Sequence, residues 1–156
     1  KISYIGRAGR EQEGRVIIQT YNPDNFSIEY AKKQDYKLFF STEIMLRKSL
    51  KYPPFCDIIM LGVTSEDEIE VQKIANLLHE FLKQKIINEN AKILLYKPVP
   101  SPIEKIKNKF RWRIIIKCKF GDDIIELINE TIDEFNKMKK KDSSKIIIDL
   151  NPNNML

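Results

Sequence analysis

The sequence predicts an α+β fold, and three observations carry that prediction. Between Cys56 and Leu150, two segments with apolar residues at three- and four-residue spacing alternate with short β-branched runs. Those segments follow the order β-α-β-β-α-β, the split pattern of a ferredoxin-like domain with a four-stranded sheet and two main helices. Ahead of them the chain reads as one strand followed by helices, and Tyr52-Pro53-Pro54-Phe55 marks the change. A domain junction is placed there, giving parts at 1–50 and 51–156.

Each element has a local reason. Arg15-Val-Ile-Ile-Gln-Thr20 is short and β-branched, as a strand would be. Asn22-Pro23-Asp24 is a turn leading into a helix, with Pro23 where no amide hydrogen is needed. Phe26 to about Ser49 is helical, with Phe40, Ile44 and Leu50 on one side and Tyr36 and Phe39 near it; Gln34-Asp35 splits it into two helices. Pro53 ends the run by biasing its predecessor away from α geometry. Cys56 to Val63 is a nearly all-apolar strand, so it belongs inside a sheet. Ser65-Glu66-Asp67-Glu68 reads as a capping box, with Ser65 serving the open amides of a helix. That helix carries Val71, Ile74, Ala75, Leu78 and Leu82 and runs to about Asn88. Ile93 to Tyr96 is the second strand. Pro98, Pro100 and Pro102 predict a stiff, extended loop. Arg111 to Lys119 is the third strand. Gly121-Asp122-Asp123 opens a second helix with acids at its positive end and a stripe of Ile124, Ile128, Ile132 and Phe135. Lys145 to Leu150 is the fourth strand.

Composition narrows the function classes. The 156 residues are 42% apolar and 31% charged with five Gly and seven Pro, which excludes collagen-like, low-complexity and strongly disordered chains. The longest apolar run, Ile58 to Val63, is too short to span a bilayer, and the opening Lys-Ile-Ser-Tyr lacks a secretory core. An intracellular, membrane-free protein is expected. Cys56 and Cys118 have no histidine partners at ligand spacing, so neither a disulfide framework nor a zinc knuckle is expected.

The net charge of +5 says little until it is located. Between Lys97 and Lys119 stand six Lys and two Arg against Glu104 alone, so the remainder of the chain is slightly acidic. Strand alternation puts Trp112, Ile114, Ile116 and Cys118 on one face and Arg111, Arg113, Ile115, Lys117 and Lys119 on the other. Those four cations form a row with steps of about 7 Å, comparable to the spacing of phosphates along a single strand. Lys105, Lys107 and Lys109 on the preceding loop extend it. Such contacts supply affinity through counterion release without reading sequence. A solvated surface loop is the plainer explanation of a lysine-rich stretch, and the strand parity favours nucleic-acid binding over it. Parity also assigns Trp112 to the core in preference to base stacking, and leaves Phe110 as either a wedge or a lid.

The other candidates carry less. His79 lies near the apolar stripe of its helix without a nucleophile or metal partner, which reads as packing. Cys56 and Cys118 read as small core residues. Asp57, Asp149 and Glu43 are scattered carboxylates. There is no Gly-x-x-x-x-Gly-Lys-Thr loop, so the chain is not expected to hydrolyse a nucleotide unaided. Two arginines three apart in Gly6-Arg-Ala-Gly-Arg10 would share one face of a helical turn.

Taken together, several of these blocks resemble one family. Gly6-Arg-Ala-Gly-Arg10 with Gly14-Arg-Val-Ile-Ile-Gln-Thr20-Tyr-Asn-Pro23 resembles the last helicase motif and closing strand of the primosomal replication-restart helicases (the PriA, or primosomal protein N′, family). Asp35-Tyr36, Phe39, Glu43-Ile44, Arg47 and Leu50-x-Tyr52-Pro53-Pro54-Phe55 resemble its stretch entering the C-terminal domain. Lys109-Phe110-Arg111-Trp112-Arg113-Ile114 resembles its basic-aromatic strand, and Ile148-Asp149-Leu150-Asn151-Pro152 its closing Asp-Val-Asp-Pro pattern. Two positions depart: Ser3 stands where the family motif has glutamine, and Asn151 replaces the second closing acid.

The resemblance implies a piece of a longer enzyme. Residues 1–50 would be the tail of the second helicase lobe, and 51–156 the DNA-binding C-terminal domain. The parent would be an ATP-dependent 3′-to-5′ DNA helicase acting at stalled or branched forks in the cytoplasm, near the nucleoid. Arg7 and Arg10 would reach the ATP phosphates across the cleft between lobes. ATP with magnesium, and zinc in a cysteine-rich region, would belong to the parent and not to this piece. Its partners would be branched or single-stranded DNA, the single-stranded-DNA-binding protein, and primosome and helicase-loading proteins. Two rival readings remain open. A stand-alone ferredoxin-like RNA-binding or ribosome-associated module fits the fold, although the aromatic signature of an RNA-recognition sheet is missing. A metabolite-binding regulatory domain also fits, and fold alone does not choose among them.

Overall fold

The computed structural model describes residues 17–139 and 144–152. The chain divides into two compact units, residues 1–49 and 50–156.

In the first unit, residues 17–20 are exposed and form no strand, which corrects that part of the expected Arg15–Thr20 strand; Arg15 and Val16 lie outside the described residues. A β-branched run needs a neighbour to satisfy its amides, and among the described residues none pairs with it. The turn at Pro23 closes with Asn25 N donating to Asn22 O at 3.3 Å. Helix α1 (Phe26–Lys32) follows, capped by Asn25, whose Oδ1 accepts from Ser27 N at 2.9 Å. The helix breaks where expected: Gln34 takes a left-handed φ of 53° and Asp35 N donates back to Tyr30 O at 2.9 Å. Asp35 Oδ1 then accepts from Leu38 N at 3.0 Å and starts α2 (Tyr36–Ser49). Phe26 stacks on Phe39 with ring centroids 6.3 Å apart, yet no residue of either helix is buried, and Phe40 is 52% exposed.

The second unit holds β1 (Asp57–Ser65), α3 (Glu68–Asn88), β2 (Leu94–Leu95), β3 (Val99–Ile106), β4 (Lys109–Cys118), α4 (Asp122–Met138) and β5 (Lys145–Leu150). The sheet is antiparallel throughout, with β4 and β1 central and β5 on one edge. On the other edge β2 pairs with the end of β4 (Leu94 opposite Lys117), and β3 with its beginning (Ile106 opposite Lys109). Together β2 and β3 occupy the place of one strand, so this is the ferredoxin-like order with one edge strand broken in two.

The expected proline loop is therefore a strand. At a sheet edge a proline's missing amide costs no ladder bond, and the register shifts between Pro100 and Lys105. Lys107 and Asn108, with φ of 49° and 61°, form a two-residue hairpin turn with both residues left-handed, which makes β4 start at Lys109.

Both long helices cover one face of the sheet. Leu61, Val63, Ile114 and Ile116 are fully buried against Val71, Leu78, Ile128 and Phe135. Trp112 and Phe110 pack against this core, as parity requires of Trp112. Ser65 is corrected: it closes β1 opposite Phe110, and Asp67 caps α3 through Glu70 N at 2.7 Å. Ser65 Oγ accepts from Asp67 N at 3.2 Å and hydrogen-bonds the Glu70 carboxylate. Lys85 and Glu134 link the two helices at 2.7 Å, and that hydrogen bond raises the lysine's pKa.

Asp57 and Asn151 tie β1, β4 and β5 together at one end of the sheet. Asp57 Oδ2 accepts from Phe120 N at 2.9 Å, while its Oδ1 accepts from Asn151 Nδ2 at 3.1 Å. Asn151 Oδ1 accepts from Ile58 N at 2.9 Å. The departure at Asn151 thus has a physical content, because its amide gives Asp57 a donor where an aspartate would give a second anion.

Candidate nucleic-acid interface

The face of the sheet away from α3 and α4 carries the alternate residues of each strand. Register places Arg111 beside Thr64, Arg113 beside Gly62, Ile115 beside Met60 and Lys117 beside Ile58. Across β1 the same rows continue to Lys145, Ile147 and Asp149 of β5.

The seven cations expected on one track separate into five groups. Arg111 and Arg113 lie on the open face, half-buried, with Lys109 at the start of the same alternation. Lys107 sits exposed at the hairpin turn. Lys105 is corrected: it pairs with Phe110 on the helix side, and its ammonium lies 4.4 Å from that ring. The two-residue turn inverts the parity, so odd-numbered Lys105 shares a face with even-numbered Phe110.

Lys117 is the larger correction. It is only 7% exposed, donates from Nζ to Leu50 O at 2.9 Å, and stands 3.7 Å from the Tyr52 ring and 5.4 Å from that of Tyr96. A carbonyl and two aromatic faces satisfy this desolvated ammonium, which leaves it no reach to a polyanion. Lys119 also leaves the track. It lines a groove of about 610 Å³ beside Glu126, Glu130 and Asp123, between the end of α3 and the start of α4.

The charges are two-sided. Asp122, Asp123, Glu126, Glu130, Asp133 and Glu134 stand on α4 against Lys137 alone. A polyanion is drawn to the open face and repelled by the helix layer.

Arg7 and Arg10 lie outside the described residues, as does Ser3. His79 Nδ1 approaches Glu80 Oε1 at 3.1 Å. Among the described residues no three His, Cys, Asp or Glu side chains converge as a metal site, and no helix is long and apolar enough to cross a membrane. Burial pushes the Cys118 thiol up to about 11, with Asp57 and Cys56 adding to it, and raises Cys56 as well.

The model of the primosomal protein N C-terminal domain family matches residues 48–153, two thirds of the chain. The chain belongs to that family. The replication restart protein PriA of Bacillus subtilis (strain 168) is 33% identical over 152 residues, 97% of this chain and 18% of the relative. Its namesakes from Chlamydia muridarum and Borreliella burgdorferi are each 32% identical over 151 residues, 94% of this chain and 19% and 21% of theirs. The chain spans about a fifth of the length of the curated relatives it matches.

Within this member of the family, two residues of the same sheet face escape a reading of the Lys97–Lys119 segment alone. Lys145 is exposed and lies across Thr64 from Arg111, about 10 Å away at two interstrand spacings. Strand parity in β5 combined with the ferredoxin-like order is the signal that finds it. Tyr96 is the other, brought onto the open face when its amide donates to Ile115 O at 2.9 Å.

Proposed function

We propose that this chain is a DNA-binding piece of a replication-restart protein, and that residues 50–156 hold the sugar-phosphate backbone of single-stranded or branched DNA. The observation that carries the reading is the continuous run of Lys107, Lys109, Arg111 and Arg113 from hairpin tip to open face, joined by Lys145 across Thr64. Each cation placed on a phosphate releases a counterion, so the contacts supply affinity and orientation without sequence preference. The names of the relatives, replication restart protein PriA, support the same reading.

By that relationship, residues 1–50 are the tail of the second lobe of an ATP-dependent 3′-to-5′ helicase, with Arg7 and Arg10 on the ATP phosphates. ATP hydrolysis, magnesium and zinc belong to the rest of the longer protein. The partners on this reading are the single-stranded-DNA-binding protein and the primosome and helicase-loading proteins, met in the cytoplasm. The resemblance supports these assignments, and the C-terminal unit has a separate test.

That test is fluorescence anisotropy of the chain against a three-way fork, a linear duplex and a single strand at two salt concentrations. Four to five phosphate contacts give a slope of log affinity on log salt of about −3 to −4. Lys107→Glu combined with Arg111→Glu lowers affinity at least about tenfold, and unchanged affinity would end the proposal. Fork preference that survives the higher salt means branch geometry is read here. Tighter binding to RNA of the same sequence would turn the reading toward the RNA-binding module.

A further inference from the structure

We infer that Tyr96 is a base-stacking platform beside the cationic track, so that the open face takes an unpaired strand by its bases as well as by its phosphates. The inference rests on the nucleic-acid reading above and specifies what that face distinguishes. Single-strand binders without sequence preference join a cationic groove to aromatic rings on which bases lie. Here the aromatic residues of the basic segment are already used: Trp112 packs against the core, and Phe110 lies between that core and the Lys105 ammonium.

Tyr96 is placed differently. It is 41% exposed on the same face as Arg111 and Arg113, and its amide hydrogen bond to Ile115 O sets it opposite Ile115, diagonal to Arg113 at about 7–8 Å. Val99, opposite Arg113, and Leu94, opposite Lys117, are also exposed along that edge and extend an apolar margin on either side of the ring. Lys117, buried 5.4 Å from the Tyr96 ring, acts as a positioning residue: with Tyr52 it supports the ring from within the unit. The acidic α4 lies on the other side of the sheet and leaves this face to the anion.

The experiment compares a short oligothymidine strand with an abasic strand of the same length, which has the same phosphates and no bases. The 156-residue chain binds the thymidine strand about five- to tenfold more tightly, the lower end of what one stacked base contributes. Tyr96→Leu removes that preference and leaves affinity for the abasic strand unchanged, whereas Tyr96→Phe keeps it. Equal affinity of the unmodified chain for the two strands overturns the inference without any variant. So does a Tyr96→Leu protein that loses affinity for both strands alike. Binding to neither strand overturns the nucleic-acid reading beneath it.

Discussion

Replacing Lys117 by methionine separates the cations that bind from the cation that holds the fold. The substitution keeps the aliphatic stem and removes an ammonium that donates to Leu50 O at 2.9 Å and faces the Tyr52 ring at 3.7 Å. A hydrogen bond from a charged donor contributes about 1.5–3 kcal/mol, and a desolvated cation–π contact up to about 2. Methionine returns part of this because it carries no desolvation penalty. The net loss is about 2 kcal/mol, or roughly 8 °C in Tm for a unit of this size. Arg111→Met is the mirror experiment, with stability within about 0.5 kcal/mol and a salt slope on single strands smaller by about 0.7. Thermal melts and anisotropy at several salt concentrations read both quantities on both variants. If Lys117→Met leaves Tm unchanged and reduces the salt slope by one contact, the buried assignment is wrong and the sequence-based row is restored.

Three other perturbations probe the frame. Asn151→Asp sets two carboxylates about 3 Å apart at Asp57, costing about 2 kcal/mol at neutral pH from a lost hydrogen bond and like-charge repulsion. The repulsion exists only while both carboxylates are ionised, so the cost seen by urea titration fades as pH falls toward about 4; a pH-independent loss contradicts the clasp. Lys107→Asn relieves a left-handed lysine and stabilises by about 0.5–1 kcal/mol while weakening DNA binding by one cation; a lower Tm would mean the hairpin turn is misassigned. Cys118, near 9 when unfolded and raised to about 11 by burial, contributes stability that is intact below pH 9 and is lost between 9 and 11. Cys118→Ala therefore flattens part of the alkaline decline relative to the unmodified chain, and parallel alkaline curves would refute it.

Much of the architecture was legible because apolar spacing reports burial directly. The stripes of α3 and α4, the all-apolar β1 and the break at Gln34 each follow from local pattern. What escaped depends on pairing. Prolines concealed β3 because their reading as a loop assumes a lost ladder bond, which an edge strand never needed. Ser65 reads as a cap until β1 is paired as far as Phe110. The cationic row failed for a similar reason: alternation assigns a face along one continuous strand, and the turn at Lys107-Asn108 puts Lys105 on the opposite side. Lys117 has the right parity for binding, and is consumed by Leu50 and Tyr52, residues more than sixty positions earlier.

The division of charge between the sheet face and α4 decides whether net charge or local charge governs binding. Carboxylates on the far side of α4 stand about 20 Å from a strand on the open face, one sheet-to-helix spacing plus a helix diameter. In water a carboxylate and a phosphate at that separation repel by about 0.2 kcal/mol, and several phosphates multiply it. The Debye length is about 30 Å at 0.01 M salt and about 8 Å at 0.15 M, so the repulsion persists at low salt and almost vanishes near physiological salt. Glu126→Gln with Glu130→Gln, both exposed on α4, therefore raises single-strand affinity at low salt and leaves it unchanged at 0.15 M. An equal gain at both concentrations would place those carboxylates within direct reach of the DNA, and the bound strand would then lie along the helix layer and not on the open face.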